Sequence, residues 1–314
     1  MKLSVLIITY NQEAYIAQAI ESALAQETTF DYEIVIGEDC STDRTHQIVA
    51  DFQRSFPDRI RAMLRPANVG MHHNFAETLA ACRGQYVALL EGDDYWTDPG
   101  KLQRQVDFLD SHPECAICFH NVNVIHEDGT MRPSNYCPDN LKEISTLEDI
   151  LTYDFIPTCS TVFRRSLFGD LPGWYSKLPT GDWALHILNA EHGKIGYLNE
   201  VMAVYRIHSG GVWSSQDHIR NLRVNTQVQE KLNVYLGYKY DRIIRAALSQ
   251  RYFELAVAYR KAGDLPRAKK FGLRSLRRRT LHGGASLIAL FRFLTRLSVL
   301  AIRSSATRLK KLTH

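Results

Sequence analysis

Tyr86-Val87-Ala88-Leu89-Leu90-Glu91-Gly92-Asp93-Asp94-Tyr95-Trp96 is the stretch on which the reading of this chain turns. Tyr86 to Leu90 is a short apolar run, which predicts a buried strand. The run ends in Glu91, Asp93 and Asp94 around a glycine, and Asp98-Pro99 marks a turn just beyond. Carboxylates gathered at the end of a buried strand are costly, because like charges repel and desolvation disfavours each ionised form. A hard divalent cation such as Mg²⁺ or Mn²⁺ removes that cost and takes substrate phosphates as its other ligands. The stretch therefore points to a metal–diphosphate site at the carboxyl edge of an α/β sheet, where ligands of open sheets sit. The alternative is a solvated acidic turn.

Upstream, strands and helices alternate. Leu3 to Thr9, Glu33 to Gly37 and Ile60 to Leu64 read as strands. Between them lie helical patterns, the first with Ile16, Ile20 and Leu24 and capped by Asn11, the second with Ile48, Val49 and Phe52 and capped by Ser41 or Thr42. Phe75, Leu79 and Cys82 mark a third helix. Downstream come a helix over 101–111, a strand over 116–125, an irregular stretch to about Pro157, and a strand over 158–164. A helix over 182–192 and short strands at 195–198 and 201–206 follow. This order predicts an α/β fold with a Rossmann-like, mostly parallel central sheet covered on both faces. No P-loop and no G-x-G-x-x-G follows the first strand, which argues against a nucleotide kinase and a dinucleotide oxidoreductase.

From about Ser215 the pattern is entirely helical, and Phe253 to Leu273 reads as a hairpin turning at Gly263-Asp264, similar to one tetratricopeptide-type repeat. The expected domains are 1–213 and a helical region over 214–314, with the hairpin at about 250–280 and a basic amphipathic helix at about 285–312. Charge is uneven: residues 251–314 hold 16 Lys+Arg and 2 Asp+Glu, against 22 and 32 in the first 250. A basic tail on an acidic body suggests contact with an anionic surface. Arginines inside the tail's apolar run disfavour a spanning helix, at about 2.5–3.5 kcal/mol each, and suit one lying in the membrane interface; packing on the protein's own body is the other reading. The chain enters its first strand without an apolar leader, so a cytoplasmic protein with reduced cysteines is expected, peripheral on the membrane's cytoplasmic face. Cys115 and Cys118 have metal-ligand spacing but no second pair, and read as buried thiols.

Four segments stand in one order: Leu3 to Asn11, Glu38-Asp39-Cys40-Ser41-Thr42-Asp43, Glu91-Gly92-Asp93-Asp94, and Thr180-Gly181-Asp182-Trp183. Together they resemble the family 2 glycosyltransferases, which are inverting GT-A enzymes, over roughly residues 1–213. The resemblance implies that Thr9, Tyr10 and Asn11, with Glu13, hold the base and ribose of a nucleotide. It implies that Asp39 accepts the uracil N3–H, a role suited to a group that offers only acceptors. Asp94 is implied as metal ligand and Asp93 as ribose contact, although Glu91 and Asp93 form the spaced pair. Asp182 is implied as the general base, and its place at a helix start equally suits an N-cap. Gly181 stands where many relatives carry an acid. His208, in the Arg206-to-Trp213 loop, is implied as a metal or diphosphate contact. Glu91, Trp183, Arg206 and Trp213 are further candidate contacts to donor or acceptor, while His72 and His73 read as solvated helix-start residues.

The resemblance thus implies an inverting hexosyltransferase-type reaction. A nucleotide sugar, expected to be a UDP-sugar, binds with Mn²⁺ or Mg²⁺, and Asp182 deprotonates a hydroxyl of a saccharide or lipid-linked acceptor. No nucleic-acid partner is expected. Two rivals are a catalytically idle scaffold and a sugar nucleotidyltransferase. The latter needs a glycine- and lysine/arginine-rich loop where this chain has Tyr10-Asn11-Gln12-Glu13.

Overall fold

In the computed structural model, which describes residues 1–167, 169–213, 217–279, 286–293, 295 and 297, the apolar runs become neighbouring strands of one sheet. β1 (Leu3–Thr9), β2 (Tyr32–Glu38), β3 (Ile60–Leu64) and β4 (Tyr86–Glu91) pair in parallel in the order β3-β2-β1-β4. α1 (Ile16–Leu24), α2 (Thr45–Ser55) and α3 (Met71–Ala81) connect them. Val5, Ile7, Ile34, Ile36 and Leu90 are buried in one core with Ile16, Ile20 and Val49. Burial on both faces explains why these strands read as continuous apolar runs.

The second half extends the sheet. β5 (Tyr95–Trp96), α4 (Lys101–Ser111), β6 (Cys115–His126), β7 (Ser134–Asn135), β8 (Ile144–Ser145), α5 (Leu147–Ile150), β9 (Val162–Arg164), α6 (Asp182–Ala190) and β10 (Lys194–Ile207) follow in chain order. β9 runs antiparallel between β4 and β6, and β10 lies parallel to β6. The two strands expected at 195–198 and 201–206 are one strand, β10, whose register against β6 shifts between Leu198 and Ala203. The strand expected over 158–164 begins only at Val162, because Thr158–Ser160 forms a 3₁₀ turn.

Asn11 does not cap α1, which starts at Ile16 behind Tyr15. Its backbone is left-handed, with φ 53°. Asn11 N–H donates to Ser41 Oγ at 2.9 Å, and its Oδ1 accepts the Thr42 N–H at 2.8 Å. The residue clasps the loop after β1 to the loop after β2. This also removes Ser41 and Thr42 as caps of α2; Asp43 Oδ1 accepts the Thr45 N–H instead, at 2.9 Å.

Two compact units divide the chain, one of Met1–Ile150 with Asp154–Ser215, the other of Leu151–Tyr153 with Gln216–His314. The second contains α7 (His218–Tyr235), α8 (Asp241–Lys261) and α9 (Leu265–Arg278). α8 and α9 form a hairpin. Gly263 supplies the left-handed turn at φ 81°, and Asp264 Oδ1 caps α9 by accepting the Arg267 N–H at 2.9 Å. The helices close through Ser249 Oγ donating to Ser275 O at 2.9 Å and Tyr259 stacking on Phe271 at 5.4 Å. Most of the tail helix expected at about 285–312 lies outside the described residues; 287–293 are helical. Among the described residues no helix is long and apolar enough to cross a membrane. All six cysteines are free.

Candidate active site

β4 ends at Glu91, and the chain must then turn within reach of the end of β1. Gly92 N–H donates to Ile8 O at 3.2 Å. A Cβ on Gly92 would run into the side chains of Gln12 and Thr9, so only glycine fits this approach. Beyond the turn, Tyr95 pairs with Val204 of β10. The two adjacent aspartates consequently separate. Asp93 lines a cleft of about 380 Å³ at the carboxyl ends of the strands. Asp94, 1% exposed, turns inward, and its Oδ1 accepts the Arg206 N–H at 2.8 Å. This differs from the expectation that Asp94 faces the metal. A backbone bond to β10 engages one of its two oxygens, and Asp94 is not among the residues lining the cleft.

Asp93 finds a different partner. His208, just past β10, places Nε2 3.1 Å from Asp93 Oδ2. That hydrogen bond raises the imidazole above its usual range. Tyr15 packs against the His208 ring at 4.6 Å. Arg206 braces the same corner. Its Nη1 donates to Asp93 O at 2.9 Å, Nη2 donates to Gln18 Oε1, and the guanidinium lies 4.5 Å from the centre of the Tyr95 ring. Arg206 therefore holds the Asp93 loop through its backbone carbonyl.

Glu91 lines the cleft beside Asp93, and its buried Oε2 has no hydrogen-bond partner among the described residues. Burial, then the charges of Asp94 and Asp93, push its carboxyl well up. Burial and Asp93 do the same to Asp94. Crowding and burial thus favour the protonated forms of this cluster, and a cation would reverse that preference. Glu91, Asp94 and Cys159 also bring ligand atoms within 4.8 Å of one another. That set lies mainly beneath the cleft. Burial pushes the Cys159 thiol up, which keeps it protonated, and Asp94 is already engaged. Asp93 and His208, with the orphaned Glu91 oxygen nearby, fit a hard or borderline divalent cation better.

Asp39 is buried at the foot of the cleft. Its two oxygens accept the N–H groups of Val69 at 2.8 Å and Gly70 at 2.9 Å. Each oxygen retains a second lone pair. Thr9 and Tyr10 line the cleft. Asn11 and Glu13 do not; Glu13 Oε2 accepts the Arg44 N–H at 2.9 Å, tying loops together as Asn11 does.

Asp182 enters from the opposite wall, on the first turn of α6. The N-cap is Gly181, not Asp182, and Asp182 Oδ1 accepts the Trp183 N–H at 2.9 Å. Burial raises the carboxyl above the ordinary aspartate range. Trp183 is no ligand contact. It is 2% exposed, and its Nε1 donates to Ile150 O at 2.9 Å inside the core. Trp213 lines the cleft. His73 is exposed, as expected, but His72 is half-buried and lines the cleft near Asp182. Sequence reasoning passed over Tyr175, Phe75 and Tyr205, which also line it. No motif surrounds Tyr175, and the helical or strand periodicity of the other two predicts only burial.

A mostly parallel sheet with carboxylates from the ends of β2 and β4 and the start of α6 on one cleft defines a GT-A-type transferase domain. The family model for Glycosyl transferase family 2 matches residues 4–170, and the chain belongs to that family of enzymes. The uncharacterized protein Rv1520 of Mycobacterium tuberculosis (strain H37Rv) is 44% identical over 214 residues, which cover 68% of this chain and 61% of that protein. The chain thus spans about three fifths of the length of the mycobacterial relatives it matches. Its fold is similar to S. aureus TarS 1-349 in complex with UDP-GlcNAc, with a TM-score of 0.61 and 19% identity over 88% of this chain and 82% of that one. It is also similar to the mannosyltransferase PcManGT from Pyrobaculum calidifontis in complex with GDP-Man and Mn²⁺, with a TM-score of 0.59 and 16% identity over 98% and 80%.

Proposed function

We propose that this glycosyltransferase moves a sugar from a nucleotide sugar, a UDP-sugar by preference, to a saccharide or lipid-linked hydroxyl, with inversion. The observation that carries this reading is that Asp39 after β2, Asp93 after β4 and Asp182 at the start of α6 line one cleft. Asp39 receives the base, because an acceptor-only group selects a ring imide N–H. The complexes of TarS with UDP and UDP-GlcNAc support that choice of nucleotide. Tyr10 and Thr9 flank the base and ribose.

Asp93 and His208 would hold Mn²⁺ or Mg²⁺, with Glu91 beside them. When bound, the cation offsets charge growing on the leaving diphosphate. The PcManGT complex with Mn²⁺ supports a metal in this fold. Arg206 keeps the Asp93 loop in place. Asp182, on the facing wall, takes the proton from the acceptor hydroxyl as that oxygen attacks the anomeric carbon from the side opposite the diphosphate. One displacement inverts the configuration and needs no covalent intermediate. The raised carboxyl of Asp182 suits a base that must hold this proton until it passes to solvent. Asp94 serves the frame by anchoring β10, and contact with an anionic membrane surface belongs to the helical unit.

The test is hydrolysis of a panel of UDP-sugars and GDP-mannose by the purified chain, with Mn²⁺ and with EDTA. At least one donor is expected to be cleaved about tenfold faster with Mn²⁺. Absence of both cleavage and UDP binding for every donor would refute the proposal.

A further inference from the structure

Gly181 precedes the proposed base, and the space left by its missing side chain is taken. A Cβ there would collide with the hydroxyl and ring edge of Tyr175, and would lie 3.2 Å from His72 Nδ1. Tyr175 belongs to the 3₁₀ turn Tyr175–Lys177. Its ring packs edge-on against His72 at 5.3 Å and against Phe75 at 6.2 Å. The residue is 4% exposed, and its hydroxyl has no hydrogen-bond partner among the described residues. Buried tyrosines ordinarily find a partner for the phenol hydroxyl. This one meets the cleft beside Asp182.

Its neighbour has a fixed hydrogen-bonding sense. His72 Nε2–H donates to Leu178 O at 2.8 Å, and burial lowers the imidazole below its usual range. The ring is therefore neutral, and Nδ1, close to Gly181, is left as an acceptor. Burial and the Asp182 charge push the Tyr175 phenol up, so it keeps its proton. One donor and one acceptor thus stand next to the base, and neither is positively charged. Such a pair suits a neutral sugar hydroxyl, which donates once and accepts once. It does not suit a phosphate.

We propose that Tyr175 Oη and His72 Nδ1 form an acceptor site that grips a hydroxyl adjacent to the one Asp182 deprotonates, so that the acceptor presents a vicinal diol of an uncharged saccharide ring. This rests on the reading of Asp182 as the base. Gly181 is the residue that makes room for it: any side chain at 181 would displace the tyrosine.

The test uses p-nitrophenyl hexosides as acceptors with the UDP-sugar panel, taking the pair that gives most product, and a deoxy analogue lacking the hydroxyl next to the glycosylated one. Tyr175→Phe is expected to raise the acceptor KM about tenfold with the donor KM moved less than about twofold. Wild type should discriminate against the deoxy acceptor by about tenfold, and Tyr175→Phe should not. Gly181→Ala should resemble Tyr175→Phe. Tyr175→Phe with an unchanged acceptor KM overturns the proposal while transfer itself stands. Equal loss in donor KM, acceptor KM and melting temperature assigns the tyrosine to the frame and also overturns it. No transfer by wild type to any of these hexosides overturns this site; if no donor is cleaved or bound either, the proposed function falls with it.

Discussion

His208 Nε2 lies 3.1 Å from Asp93 Oδ2, joining two residues 115 positions apart. The contact pins the end of β10 to the turn after β4, and it holds Asp93, not Asp94, on the cleft. A carboxylate and an imidazole together suit Mn²⁺ at least as well as Mg²⁺, which prefers oxygen alone. EDTA should therefore abolish transfer, with Mn²⁺ restoring it. His208→Ala and Asp93→Asn should each raise the Mn²⁺ concentration for half-maximal rate by about tenfold or more. Asp94→Asn should shift that midpoint little. It should lower the melting temperature instead, since the bond from Arg206 N–H to a carboxylate weakens. Initial rates across a Mn²⁺ titration separate the three.

Asp182→Asn should keep UDP affinity within about twofold and reduce kcat by about a thousandfold, since general-base catalysis is worth roughly 10²–10⁴. The pH profile carries a second reading. The base must be ionised to act, and its carboxyl sits above the ordinary range because it is buried. Activity should fall as pH drops through a midpoint clearly above the ~3.9 of a free aspartate. An acid limb at or below that value in kcat against pH would show that another group takes the proton.

The N-terminal half of the sheet could be read from the sequence because each parallel strand is buried on both faces and stands out as an unbroken apolar run. Asp39 and Asp182 could be placed because each follows a strong local signal, a strand end or a helix start. Asp93 and Asp94 could not be told apart. Which of two neighbours faces the cleft depends on the pairing of Tyr95 with Val204, a contact between positions more than a hundred residues apart in the chain. The same distance problem hid Tyr175, which reaches the site only through packing on His72 and Phe75. Asn11 is hidden by a related effect. Its side chain meets Thr42 across two loops, and a cap and a clasp look alike in one dimension.

α9 carries Arg267, Lys269, Lys270, Arg274 and Arg277, and it contains no acidic residue. Leu273 and Leu276 stand 40% exposed among these cations. Aliphatic side chains ringed by bases are what a helix resting on anionic lipid needs. The purified chain should co-sediment with phosphatidylglycerol vesicles and much less with phosphatidylcholine ones. Each basic residue near such a surface is worth about 1 kcal/mol. The triple variant Lys269→Glu, Lys270→Glu and Arg277→Glu should therefore lose more than about tenfold in partitioning while hydrolysing the donor normally. Equal sedimentation of wild type and variant would exclude this helix as the contact.

Lys101 gives a prediction about stability alone. It opens α4 fully buried, with Nζ 3.8 Å from the centre of the Trp96 ring and no hydrogen-bond partner among the described residues. Burial lowers its ammonium from the usual lysine range to about 7. In the unfolded chain the amine titrates near 10.4. Between these values the unfolded chain holds a proton that the folded one has released, so this residue makes stability rise with pH from about 7 to about 10. Below about 7 both states are protonated, and the full cost of the buried charge falls on the fold. Lys101→Met keeps the stem and removes the titration. It should raise the melting temperature by several degrees at about pH 7, an effect on the order of a few kcal/mol. The gain should shrink toward about pH 10, where wild-type Lys101 is neutral in both states. A variant less stable than wild type at about pH 7 would mean that the interaction with Trp96 outweighs the desolvation of the ammonium.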